Sequence, residues 1–114
     1  MILLKVTYIE KGRQAISIDE FYYRGYESQL RDSRGTGVRR LARQMILEKK
    51  IISRNLILSE NGDKLECLTI FKDRKSLEEY LNHELVEYSR NLWANRPWIK
   101  TKEIFELTDY KILS

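Results

Sequence analysis

One cysteine, one proline and one histidine stand among 114 residues, and each scarcity closes off a class of protein. Cys67 alone can form neither an internal disulfide nor a multi-cysteine zinc site, which agrees with a reducing compartment, and its thiol reads as a small core hydrophobe. With His83 alone there is no histidine-rich metal site and no spare candidate for a Ser-His-Asp arrangement. Pro97 is the only proline, and no proline-rich linker, repeat or low-complexity tract divides the chain. No apolar run approaches the roughly 20 residues that a membrane helix needs, and Met1-Ile2-Leu3-Leu4-Lys5 is too brief for the apolar region of a signal peptide. The expectation is a cytoplasmic protein with no membrane partner, no metal and no cofactor.

What is present describes one folding unit spanning residues 1–114. A chain of this length encloses one hydrophobic core but not two. Hydrophobic residues at 42% and charged residues at 33% are those of an ordinary globular domain, neither disordered nor membrane-embedded. The net charge of +4 is modestly basic and favours weak contact with anionic partners, but its distribution matters more than its sum.

Hydrophobic periodicity orders the chain. Ile2, Leu4, Val6 and Tyr8 alternate with Leu3, Lys5, Thr7 and Ile9, the period of two that marks a strand. Ser17-Ile18-Asp19-Glu20 is a capping box, so a helix starts there; Ile18, Phe21, Tyr22, Gly25, Tyr26 and Leu30 then follow at helical spacing until Arg31 to Gly37 interrupts them. A second helical stretch runs from about Val38 to Lys49, with Val38, Leu41, Ala42, Met45 and Ile46 on one side. Ile51 to Ser59 and Leu65 to Phe71 are strands of a hairpin around Asn61-Gly62. Asp73 to Ala94 reads as one long helix, stopped by Asn95-Arg96-Pro97. Trp98 to Leu107 is a further strand, and Tyr110 to Leu113 a short edge strand. Two right-handed strand-helix-strand crossovers place these elements in an α+β, ferredoxin-like βαββαβ sandwich, with the first helix broken or doubled and an antiparallel sheet.

In such a sandwich the helices cover one sheet face, and the other is polar unless something shelters it. Strict alternation sets Ile51, Ser53, Asn55 and Ile57 against Ile52, Arg54, Leu56 and Leu58, and it sets Leu65, Cys67, Thr69 and Phe71 against Glu66, Leu68 and Ile70. Both faces therefore carry large apolar groups. Each such side chain left in water forgoes roughly 1.5–3 kcal/mol, and a contiguous patch of them marks an interface. A homodimer stacked through the open sheet face is the expected solution.

From Ile51 to Leu81 a hairpin with the acidic-glycine turn Glu60-Asn61-Gly62-Asp63 leads into a strand ending Phe71-Lys72-Asp73. The helix start Asp73-Arg74-Lys75-Ser76-Leu77 follows. This stretch resembles the dimeric α/β-barrel group that includes the antibiotic-biosynthesis monooxygenase-like domains. The detailed likeness covers the central third of the chain, and the element order extends it over nearly all of the rest. Two features depart from the family: Phe71 stands where its tryptophan is usual, and Arg31 to Lys50 adds helix where many members turn quickly into strand. The resemblance implies pairing of two copies, a pocket between helices and sheet, and at most cofactor-free oxidative chemistry. It carries over no catalytic set.

Tyrosine hydroxyls at a pocket rim can orient a planar molecule, and Tyr22, Tyr26, Phe71 and Tyr80 are the candidate lining for a small apolar or aromatic ligand. The plainer alternative is that aromatics at helical spacing are core. His83 falls nearly opposite the stripe of Leu77, Leu81, Leu85 and Tyr88, which makes it solvent-facing, although a histidine on this helix can reach the family's pocket. Trp93 and Val86 form a second, smaller apolar strip, a candidate surface for the partner copy. Arg39, Arg40, Arg43 and Lys50 form the clearest charge cluster. Such a cluster can neutralise phosphates, which makes nucleic-acid binding an alternative; a solvated face balanced by glutamates of the other helix is the plainer reading. Arg34-Gly35-Thr36-Gly37 before a helix suggests an anion cradle but lacks the full phosphate-loop pattern. A non-enzymatic assembly domain is the third alternative.

Overall fold

The structure, a computed structural model, describes residues 1–12, 14–23, 37–93 and 99–108. Among the described residues four strands, β1 (Ile2–Ile9), β2 (Ile51–Leu58), β3 (Lys64–Phe71) and β4 (Ile99–Glu106), form one sheet in the order β2-β3-β1-β4, and every neighbouring pair is antiparallel. Four helices among the described residues accompany them: α1 (Ile18–Tyr23), α2 (Gly37–Leu47), α3 (Arg74–Leu81) and α4 (Glu84–Trp93). This is the expected α+β, ferredoxin-like arrangement.

The strand alternation of β1 turns Ile2, Leu4, Val6 and Tyr8 toward the helices. Across from them in β3 stand Phe71, Thr69, Cys67 and Leu65, and in β4 Glu106, Ile104, Lys102 and Lys100. Ile2, Leu4, Ile51 and Phe71 pack with Val38, Leu41, Ala42 and Met45 of α2 and with Leu77 and Tyr80 of α3, and a second cluster joins Tyr8, Ala15, Leu65 and Phe21 of α1. In α2, Ile46 was expected among the buried residues but is 42% exposed. At about 100° per residue it lies at the edge of the stripe centred on Val38, Ala42 and Met45.

Local chemistry sets the element ends. Ser17 Oγ accepts the Glu20 amide at 3.1 Å, as a capping box requires, but the Glu20 carboxylate accepts from the Ile16 amide, also at 3.1 Å, rather than from the serine amide. α2 closes with Lys49 in the left-handed region (φ 62°), its amide donating to the Ile46 carbonyl while the Lys50 amide donates to that of Met45. This is a Schellman ending in which lysine occupies the place usually taken by glycine. The hairpin turn is longer than the Asn-Gly pair alone. The Ser59 amide donates to the Lys64 carbonyl and the Gly62 amide to that of Ser59, so Gly62, at φ +76°, is the third residue of a four-residue loop, Glu60 to Asp63. A Cβ at Gly62 would collide with the backbone of Ala15, so this position requires glycine twice over.

Two expectations are corrected. The long helix expected over Asp73 to Ala94 is two helices. Asp73 caps α3 by accepting the Ser76 amide at 2.8 Å, and α3 ends at Asn82. His83 then starts α4: its carbonyl accepts the Val86 amide and its ring Nδ1 accepts the Leu85 amide, both at 3.1 Å. The histidine thus bonds backbone amides that would otherwise be orphaned at a helix start, and it is half-buried rather than solvent-facing. Strict alternation also fails in β2. Ile51 pairs with Phe71 but Ser53, not Ile52, pairs with Ile70, so Ile52 is an extra residue and the inward set becomes Ile51, Arg54, Leu56 and Leu58.

The helix-free face carries the apolar residues that the sequence suggested. Leu3, Ile70 and Phe105 lie side by side with Leu68 in the next row, and none of the four belongs to either core cluster. Ile57, Ile99 and Phe105 on the same face are 49%, 53% and 41% exposed. Among them Glu66 bridges Lys64 at 3.0 Å and Lys5 at 3.5 Å; the Lys64 hydrogen bond first, then the two positive charges, hold its carboxyl below the usual range despite partial burial. The strand expected over Tyr110 to Leu113, the helix stop at Asn95 to Pro97 and the segment Arg31 to Thr36 lie outside the described residues.

Candidate functional site

A cavity of about 240 Å³ opens between the sheet and helices α2, α3 and α4. Its floor comes from three adjacent strands: Leu4, Val6 and Tyr8 of β1, Cys67 and Thr69 of β3, and Lys100, Thr101 and Lys102 of β4, with Arg54 of β2 at one side. Its roof is Val38 of α2, Tyr80 and Leu81 of α3, and Val86 and Arg90 of α4. The break between α3 and α4 shapes that roof, because it lets Leu81 and Val86 be set independently over the sheet. A pocket of about 150 Å³ already accepts benzene, so this one has room for a substituted ring or a fused pair.

The lining divides into an apolar body and a cationic margin. Leu4, Val6, Val38, Leu81 and Val86 supply aliphatic surface, and two tyrosines flank it. Thr69 is buried beside Cys67, with the sulfur 3.8 Å from the threonine hydroxyl. Arg54, Arg90, Lys100 and Lys102 bring positive charge from three elements, and among the described residues no carboxylate lines the cavity. Arg90 donates to the Leu81 carbonyl at 3.5 Å, which ties α4 to the C-terminal end of α3. The Lys100 ammonium lies over the Tyr8 ring, 5.5 Å from its centroid. Although Lys100 as a residue is exposed, protein atoms crowd its ammonium. That desolvation first, and the charges of Arg90 and Lys102 next, lower its pKa from the ordinary lysine value.

Of the residues that the sequence nominated for a ligand, Tyr80 lines the cavity. Phe71 lies behind it, fully buried, its ring centroid 5.4 Å from that of Tyr80. Tyr22 is in α1, but its side chain and the whole of Tyr26 lie outside the described residues. No described residue of α1 lines the cavity. Val86 of the second apolar strip does line it, and the side chain of Trp93 is outside the described residues. Arg39, Arg40 and Arg43 lie exposed along α2, whereas Lys50 is drawn to α3. Its ammonium meets Glu79 at 2.9 Å and Glu48 at 3.7 Å, and the Glu79 hydrogen bond chiefly raises its pKa. Among the described residues no three or more His, Cys, Asp or Glu side chains cluster as metal ligands, and no helix is long and apolar enough to cross a membrane.

Sequence reasoning missed the four cations. Three were legible: Lys100, Lys102 and Ile104 alternate at period two on one face of β4, and Arg90 follows Val86 by four residues on α4. Arg54 was not, because the extra residue at Ile52 reverses the phase of β2.

No protein-family model matches the chain, and no curated protein matches it in sequence. Solved structures do match. A protein of Deinococcus radiodurans, provisionally described as an antibiotic biosynthesis monooxygenase, superimposes with a TM-score of 0.64 at 9% identity over 96% of this chain and 94% of its own. A second structure, described as an antibiotic biosynthesis monooxygenase, gives 0.58 at 12% over 96% of this chain and all of its own. This is a divergent antibiotic-biosynthesis-monooxygenase-like fold. A protein of Mycobacterium tuberculosis shares it, with a TM-score of 0.55 at 17% identity over 96% of this chain and 97% of that one. At such identities an antibiotic-biosynthesis-monooxygenase-like backbone is what is shared, and residue roles do not transfer with it.

Proposed function

We propose that this monooxygenase-like domain binds a small apolar or aromatic molecule in the cavity between helices and sheet. The observation that carries the reading is the cavity itself. Close-packed interiors leave few voids larger than a water molecule, yet about 240 Å³ stands open beside the core, walled by aliphatic side chains and two tyrosines. Oxidation of the bound molecule by dioxygen without a resident cofactor is the reaction class suggested by likeness to structures described as monooxygenases. Among the described residues no histidine or carboxylate lines the cavity to act as a general base; the tyrosine hydroxyls, the Cys67 thiol, Lys100 and Lys102 are the titratable groups of use there.

Binding is measured by calorimetry with neutral one- and two-ring aromatics such as 2-naphthamide. A cavity-filling Val86→Trp variant that keeps the wild-type circular dichroism should lose the binding. Retention of full affinity in that variant places the ligand elsewhere and removes the reading. Oxygen uptake with an electron-rich phenol tests the reaction class separately.

We further propose that two copies pair through the helix-free sheet face in a reducing cytoplasm, where Cys67 stays a thiol. The half-buried Leu3, Leu68 and Ile70 beside exposed Phe105, Ile57 and Ile99 support this, since patches of that kind mark interfaces. Sedimentation velocity at micromolar concentration should show a dimer that Phe105→Glu dissociates; a wild-type monomer would remove the proposal.

A further inference from the structure

We propose that the molecule taken by this cavity is an anion: a carboxylate or phenolate carried on an apolar body. The inference rests on the ligand-binding reading above and sharpens it to a substrate class. Four cationic side chains, Arg54, Arg90, Lys100 and Lys102, converge from β2, α4 and β4 on one pocket that no described Asp or Glu lines.

Elsewhere on the described surface three lysines are paired with carboxylates. Lys5 and Lys64 share Glu66, and Lys50 is held between Glu48 and Glu79. Among the described residues no carboxylate plays that part for Arg90, Lys100 or Lys102. Long basic side chains often lay their stems on apolar surface and keep their heads in water, and such heads would lie apart from one another. These do not: Lys100 is perturbed by both Arg90 and Lys102, so three positive charges from two elements lie within electrostatic reach of one another. Gathering like charges at a partly desolvated rim opposes folding, and such departures from local consistency concentrate where a ligand offsets them. A neutral apolar ligand would leave this repulsion in place. An anion removes it and gains charge-assisted hydrogen bonds from the guanidinium forks and ammonium groups.

The geometry also says where each part of the ligand lies. Its body rests on the aliphatic surface of Leu4, Val6 and Val86. Its charged group sits at the β4 margin, between Lys100 and Lys102 on one side and Arg90 on the other.

The test compares 2-naphthoate with 2-naphthamide, which share shape and differ in charge, by calorimetry on the full chain at low ionic strength. The acid should bind about tenfold tighter or more, the equivalent of one charge-assisted hydrogen bond. Lys100→Met and, separately, Lys102→Gln should erase most of that preference, read as the ratio of acid to amide affinity in each variant. Both positions are exposed, so at least one of the two variants is expected to fold. Equal affinities for acid and amide in the wild type would overturn the anion inference and leave the apolar site standing. A preference that survives both substitutions would overturn it as well, because the charge would then be read elsewhere. Binding of neither compound would sink the cavity reading and this inference together.

Discussion

β3 and β4 flank the same strand, are equally long, and pair antiparallel with β1 along its whole length, yet their side chains live in different surroundings. In β3 buried and half-buried residues alternate, with Leu65 and Phe71 fully enclosed; in β4 all eight residues are exposed. A hydrogen-bonded ladder fixes where a strand lies but not what covers it. β3 has a strand on each side and helices above, so its residues serve packing. β4 has one neighbouring strand and contributes nothing to either core cluster. Released from packing, it carries the charges that rim the cavity and the apolar groups that we assign to a second copy.

The sharpest way to break this comparison is to truncate a phenylalanine on each strand. Phe71→Ala should destabilise the chain by about 3–5 kcal/mol, as large aromatic truncations in cores do. Phe105→Ala should cost under about 1 kcal/mol in urea unfolding at concentrations where the chain is monomeric. Equal losses would mean that β4 is as much a part of the core as β3. Next in size is Gly62→Ala in the turn that leads into β3. It should cost about 2 kcal/mol or more, since the new methyl group meets the Ala15 backbone and the left-handed conformation is itself strained for alanine; a thermal melt within a degree of wild type would show that the loop simply shifts.

Smaller effects are electrostatic and have opposite signs on the two strands. Glu66 of β3 has its carboxyl pKa lowered by Lys64 and Lys5. Its contribution is therefore present above the ordinary carboxylate value and lost as pH falls below about 4.3. Glu66→Gln should flatten the acid limb of a stability–pH curve by about 0.5 kcal/mol. Lys100 of β4 has its pKa lowered, so its charged form opposes folding and stability rises as pH climbs through its folded value. Lys100→Met should accordingly raise the melting temperature of the unliganded chain slightly at neutral pH while weakening anion binding. A fall in melting temperature would show that this lysine supports the fold instead.

Most of the architecture was legible because it rests on periodicity and local chemistry. The alternation of Ile2 to Ile9, the Ser17 cap and the two apolar strands around Asn61-Gly62 each point to one element, and together they leave one topology. The break at His83 was hidden because Leu77, Leu81, Leu85 and Tyr88 keep helical spacing across it; nothing in that pattern reveals a ring nitrogen accepting a backbone amide. The site was harder to read. Aromatic residues drew attention to Tyr80, which does line the cavity, while the basic residues of β4 and α4 were not singled out. Their convergence depends on which strand lies beside β1, a long-range fact that no local spacing encodes.

The extra residue in β2 reaches further than its size suggests. Were Ile52 paired in the ladder, opposite Ile70, Ser53 would stand opposite Thr69 and Arg54 would stand opposite Leu68, on the side away from the helices. Leu56 and Leu58 would exchange sides with Asn55 and Ile57, so the helix side would lose two leucines and its arginine at a stroke. One unpaired amino acid thus sets the parity of the whole edge, and drawing it into the ladder would invert the polarity of the chamber wall without altering any residue that touches it.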